Sequence, residues 1–97
     1  MFINVKKLNS KAKLPERATA TSAGADLCAC IDDDVVLMPG DRKLIPTGLA
    51  IAVQTGYGGF VFARSGLSSK FGVSLANCVG VIDSDYRGEF MIALHNH

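Results

Sequence analysis

The sequence predicts an all-β domain of the sandwich or jelly-roll kind. Helical periodicity is almost absent, whereas short segments rich in Val, Ile, Phe and Ala recur between clusters of Gly, Pro, Asp and Asn. Met38-Pro39-Gly40-Asp41 and Thr55-Gly56-Tyr57-Gly58 read as tight turns, with Pro setting φ and Gly free to turn left-handed. Turn signals at this spacing suit a many-stranded β fold rather than a helical bundle.

In chain order, strands are expected over Phe2–Leu8, Asp26–Ile31, Val35–Met38, Arg42–Ile45, Leu49–Gln54, Gly59–Ala63, Val73–Leu75, Cys78–Ile82 and Glu89–His95. The second of these alternates, which puts Cys28 and Cys30 on one face as buried free thiols. One stretch breaks the pattern. Arg64 to Gly72 has Ser65 as a helix-start residue and Gly72 as a helix-stop residue, so a single short helix is expected there. The free amides at its start, with Arg64 beside them, suit a phosphate; an ordinary capped turn of helix accounts for the same residues. No internal repeat or second domain shows, and residues 1–97 read as one domain.

Composition narrows the function. The 97 residues are 48% hydrophobic, high enough in so small a domain to suggest burial against partner subunits. A net charge of +1, with no basic run interleaved with aromatics, argues against nucleic-acid polymers as partners. The apolar runs fall well short of the roughly 20 residues that span a bilayer, so no membrane segment is expected. Three cysteines, an odd number without a secretory leader, point to a reducing compartment, the cytosol by default.

The richest stretch for chemistry is Asn77 to Glu89, NCVGVIDSDYRGE. Val79, Val81 and Ile82 stop at Asp83, which places a carboxylate at the lip of a buried strand, where partial desolvation tunes its basicity. Asp85, Tyr86, Arg87 and Gly88 read as a turn, and the segment as a β-hairpin. Polar residues and a Gly between two apolar runs are also what a plain hairpin turn contains. Asp26, after Ala23-Gly24-Ala25, is a second carboxylate at a strand start; it suits either contact with a divalent ion or satisfaction of loop amides. A phosphate-binding helix start, Asp83 and Arg87 are together the parts that phosphoryl transfer uses. Other clusters fall away. Asp32, Asp33 and Asp34 lack the spacing of a calcium loop and read as a solvated turn, and His95 and His97, on one face of a strand, lack a partner to complete a metal site.

Segments Ala23-Gly24-Ala25-Asp26-Leu27, Arg64-Ser65-Gly66-Leu67 and Gly80 to Gly88 occur in the order and spacing of one family's first three motifs. The chain resembles a trimeric dUTPase. Ile45-Pro46-Thr47-Gly48-Leu49 also resembles that family's core strand between the first and second motifs. The resemblance implies a distorted jelly roll or β-barrel with one short helix, a homotrimer, and magnesium-assisted hydrolysis of dUTP to dUMP and pyrophosphate. It implies that Asp83 is the general base for water attack at the α-phosphorus and the receiver of the sugar 3′-hydroxyl. Tyr86 packs on the deoxyribose and excludes a 2′-hydroxyl; Asn77 with the backbone of Gly80, Val81 and Ile82 reads uracil, and Met91 lines the same pocket. Arg64, Ser65 and Gly66 hold phosphates from a neighbouring subunit, and Asp26 reaches the magnesium through a water. In that frame Asp85 and Arg87 become structural, shaping the turn or a subunit contact.

The resemblance stops at Asn96 and His97, before the family's fourth motif with its Gln and its fifth, a Gly-rich closing arm. The chain is therefore expected to be a fragment or a shortened homologue, without the last core strands. A non-hydrolysing module that binds deoxyuridine nucleotides is the competing reading, and the dCTP deaminase branch of the same fold ranks below both.

Overall fold

The computed structural model describes residues 2–97. Among the described residues there are seven strands, β1 (Asn4–Lys7), β2 (Arg42–Pro46), β3 (Leu49–Ala52), β4 (Gly59–Val61), β5 (Val73–Leu75), β6 (Gly80–Ile82) and β7 (Met91–Asn96), and one exposed helix, α1 (Ser65–Phe71). They form three small antiparallel sheets, β1-β3, β2-β7-β5 and β4-β6. The all-β architecture with a single short helix is thus as the sequence predicts.

Two expected strands do not form, and their backbone bonds say why. Along 26–31 the chain makes an isolated bridge, Asp26 to Glu16, and the Cys30 N–H donates to the Pro46 carbonyl at 2.8 Å. Pro46 has no N–H to return, so the exchange that would seed a ladder cannot occur there. Over 35–38 two carbonyls are taken by side chains: Lys43 Nζ donates to Val36 O and Asn96 Nδ2 to Leu37 O, each at 2.8 Å. These bonds satisfy the backbone without a neighbouring strand.

The turns form where expected. Gly40 (φ 86°) and Gly56 (φ 90°) are left-handed, with the Asp41 N–H donating to Met38 O at 2.9 Å and the Tyr57 N–H to Gln54 O at 3.0 Å. Ile45 to Leu49 is not one strand. It is the passage from β2 to β3, which lie in different sheets, turned by Gly48 at φ 69°. Ile45, Leu49, Leu75, Phe90 and Ala12 are the buried apolar residues, with Thr47 the buried polar one. That core is small for a chain so hydrophobic. Phe62 and Phe71 are each 67% exposed and Phe60 60%.

The cysteines depart from expectation. All three are free, but Cys28 and Cys78 are exposed and only Cys30 is half-buried. With no strand at 26–31, Cys28 and Cys30 do not share a buried face. His95 is half-buried and His97 exposed; their rings lie at a tilt of 52° with centroids 4.1 Å apart, and Ser74 Oγ lies 2.6 Å from His97 Nε2. Asp32, exposed, pairs with Lys11 at 2.9 Å. No helix among the described residues is long and apolar enough to cross a membrane.

Candidate active site

Strand β6 and the loop after it carry the acidic segment. The strand pairs with β4, Phe60 opposite Val81, rather than with β7. Residues 77–89 are therefore not a closed hairpin: β6 and β7 leave in different sheets, and the loop between them spans the gap. Gly80 is buried in this pairing, and a Cβ there would lie 3.3 Å from Val61 Cβ and 3.7 Å from Asn77 Nδ2. The Asn77 amide thus stands beside the bare backbone of Gly80. Cys78, at φ 65°, makes the turn into the strand, its N–H donating to Leu75 O at 3.1 Å.

Beyond Ile82 the chain turns sharply. The Tyr86 N–H donates to Asp83 O at 3.1 Å, a turn closed across four residues. Arg87 Nη1 donates to Ser84 O at 2.7 Å and to Tyr86 O at 3.0 Å, so this guanidinium is committed to shaping the turn. The Tyr86 hydroxyl donates to Glu89 O at 2.7 Å. Val81, Ile82, Asp83, Tyr86, Glu89 and Met91 line one cleft of about 160 Å³. The Asp83 carboxylate opens to solvent in this chain, where partial burial was expected. Among the described residues β6 has a strand neighbour, β4, on one side only.

The basic segment is separate. Helix α1 starts after Arg64, which is extended (φ −80°, ψ 132°) and makes no side-chain cap bond. Ser65 is the first helical residue rather than the cap. At the other end Gly72 is left-handed (φ 68°), as expected of a helix-stop glycine. Arg64, Gly66, Leu67, Lys70 and Phe71 line a cleft of about 320 Å³ that shares no residue with the Asp83 cleft. Lys70 went unremarked in the sequence, although it lies between the singled-out helix start and its stop. Asp26 is drawn to this side: its Oδ2 accepts from Arg64 Nη1 at 2.7 Å, while its backbone exchanges bonds with Glu16.

With side chains 65% and 37% exposed, the Arg64–Asp26 pair is a solvent-screened one, so Asp26→Asn should alter folding stability by less than about 1 kcal/mol. A urea melt of the variant checks this; a larger loss would mean that the pair anchors the fold.

Glu89, Thr47 and Gly48 support the loop, and the sequence alone assigned them no role there. Glu89 Oε2 accepts from the Gly48 N–H at 2.9 Å. Thr47 Oγ1 donates to Phe90 O at 2.8 Å, the Phe90 N–H donates to Leu49 O at 2.8 Å, and the Thr47 N–H donates to Phe90 O at 3.2 Å. The available signal was weak: a Thr-Gly pair between apolar runs, and an acid directly before an aromatic.

Residues 10–97 match the dUTPase family model. The chain belongs to the dUTPase family. It is 52% identical over 95 residues to the deoxyuridine 5′-triphosphate nucleotidohydrolase of Syntrophotalea carbinolica, covering 98% of this chain and 65% of that protein. Among solved structures, a dUTPase mutant of Staphylococcus bacteriophage 80alpha with dUpNHpp is 36% identical at a TM-score of 0.88, covering 98% of this chain and 54% of that one. A dUTPase mutant from phage phi11 of S. aureus, described for its coordination of a structural Mg(II) ion, is 34% identical at a TM-score of 0.89, covering 99% and 60%. This dUTPase-family chain thus spans somewhat less than two thirds of the length of these relatives. Its fold is theirs over nearly its whole extent.

Proposed function

We propose that the chain serves the hydrolysis of dUTP to dUMP and pyrophosphate, with Asp83 as general base. The observation that carries this is the convergence of Asp83, Tyr86, Met91 and the β6 backbone on one cleft in a dUTPase-family fold. Water attacks the α-phosphorus and the bond to the bridging oxygen of the β-phosphate breaks. Asp83 takes the proton of the attacking water and orients it, and its carboxylate also receives the sugar 3′-hydroxyl.

The Tyr86 hydroxyl is already bonded to Glu89 O, so the ring offers the sugar an apolar surface. A ring packed there excludes a 2′-hydroxyl sterically. Asn77, beside Gly80, and the backbone of Gly80, Val81 and Ile82 supply the donors and acceptors that distinguish a uracil edge from cytosine.

Arg64, with Ser65 and Gly66, holds the phosphates. The two clefts share no lining residue, which agrees with the arrangement the family resemblance implies, a homotrimer in which a neighbouring subunit supplies the phosphate half of each site. The exposed Phe60, Phe62 and Phe71 agree with burial against other subunits. Free thiols suit the reducing cytoplasm.

Among the described residues no group of three His, Cys, Asp or Glu side chains could hold a metal. Magnesium keeps several waters and takes most of its ligands from phosphates, so the role left to this chain is that of Asp26, which would contact the ion through water. When bound, the ion neutralises charge on the triphosphate.

The test is pyrophosphate release from dUTP and, in parallel, dCTP, with magnesium present. Turnover of dUTP alone supports the reading. Calorimetric binding of dUMP without turnover would reduce the protein to a binding module, and ammonia release from dCTP would make it a deaminase.

A further inference from the structure

Resting on the reading of Tyr86 as the sugar filter, we propose that Glu89 is the positioning residue for that ring, acting through a latch to the β2–β3 passage. Three contacts place Glu89 there. Its carbonyl accepts the Tyr86 hydroxyl at 2.7 Å. Its carboxylate accepts the Gly48 N–H at 2.9 Å, a buried donor fixed in a left-handed turn. Its neighbour Phe90 is buried and bonded through both backbone groups to Thr47 and Leu49.

Residue 89 therefore joins an exposed surface turn to the most deeply buried part of the fold. The ring is also confined from below. A Cβ on Gly88 would lie 2.7 Å from the Tyr86 hydroxyl oxygen and 2.9 Å from the ring carbon bearing it, so the ring lies against bare backbone. Steric exclusion of one hydroxyl works only if the excluding group cannot retreat by that hydroxyl's width. Arg87 stiffens the turn from outside, but its bonds go to Ser84 and Tyr86 carbonyls, within the turn itself. The ring also lies near Phe90, centroids 6.3 Å apart; among the hydrogen bonds of the turn, those of Glu89 join the ring to the β2–β3 passage.

The closing experiment measures kcat/KM for dUTP and for UTP in the parent, Glu89→Ala, Glu89→Gln and Glu89→Asp. Gln keeps an acceptor oxygen in reach of the Gly48 N–H, whereas Asp keeps the charge but is one methylene short. The expected result is a fall of about tenfold in the dUTP:UTP ratio for Ala and Asp, the size of effect a single misplaced contact gives, with Gln near the parent. Should Glu89→Ala fail to fold, the Gln and Asp variants carry the comparison. Equal ratios in Gln and Asp, or a parental ratio in folded Ala, would overturn the proposal. A parent that does not turn over dUTP would instead defeat the reading of the site on which it rests.

Discussion

Asp83→Asn should lower dUTP turnover by roughly 10²–10⁴-fold, the range that a positioned general base contributes. Asn matches Asp in size and can still bond the sugar hydroxyl, but it cannot accept the proton of the attacking water. The fold should not suffer. The Asp83 side chain is exposed, and the turn it opens is closed by its backbone carbonyl, which accepts from the Tyr86 N–H. The expected pattern is thus a collapse of pyrophosphate release with binding of dUMP and thermal stability close to the parent. Equal rates in the two proteins would remove Asp83 from the reaction, and a matching loss of binding would make it a ligand-holding residue only.

Gly48→Ala should have the largest effect on stability. The residue sits at φ 69°, and an added Cβ would meet Ala12 Cβ at 2.8 Å and Cys30 Sγ at 3.1 Å. Two costs combine. The left-handed backbone penalises an L side chain by about 1–2 kcal/mol, and crowding a filled position adds roughly 1–3 kcal/mol. Relief by backbone shift is blocked on every side, since the Gly48 N–H is held by Glu89, its carbonyl accepts from the Leu8 N–H at 2.7 Å, and Leu49 beside it is fully buried. Against a total stability of about 5–15 kcal/mol for a domain, a loss of about 2–5 kcal/mol brings the protein near unfolding. Denaturant melts of parent and variant measure it; a change below about 1 kcal/mol would show that the β2–β3 passage is softer than its contacts imply.

Both predictions meet in the loop between β6 and β7, the part of the molecule where sequence and tertiary structure contributed most unequally. The residues that line its cleft are neighbours in sequence, Val81, Ile82, Asp83, Tyr86 and Met91, so their grouping was legible from the order of residues alone. Glu89 and Gly48 were not legible as a pair. Forty-one positions separate them, and a hydrogen bond over that span leaves no periodic mark in either segment. The same limit explains Asp26, whose carboxylate meets Arg64 across 38 positions. It also explains the expected strands at 26–31 and 35–38: their composition suits a strand, but a strand needs a partner edge, and Pro46, Lys43 and Asn96 dispose of the bonds otherwise.

By itself the sequence determined what local physics controls. Apolar segments of strand length, Gly40 and Gly56 in left-handed turns, Gly72 ending the only helix among the described residues, and the motif order that marks the family all lie within short windows. Only the tertiary structure decided which strands pair. That choice sends β6 to β4 and β7 to β2 and β5, and separates the acidic cleft from the basic one. Strand pairing is a contest among distant edges for the same backbone hydrogen bonds, and no short window of sequence contains both edges.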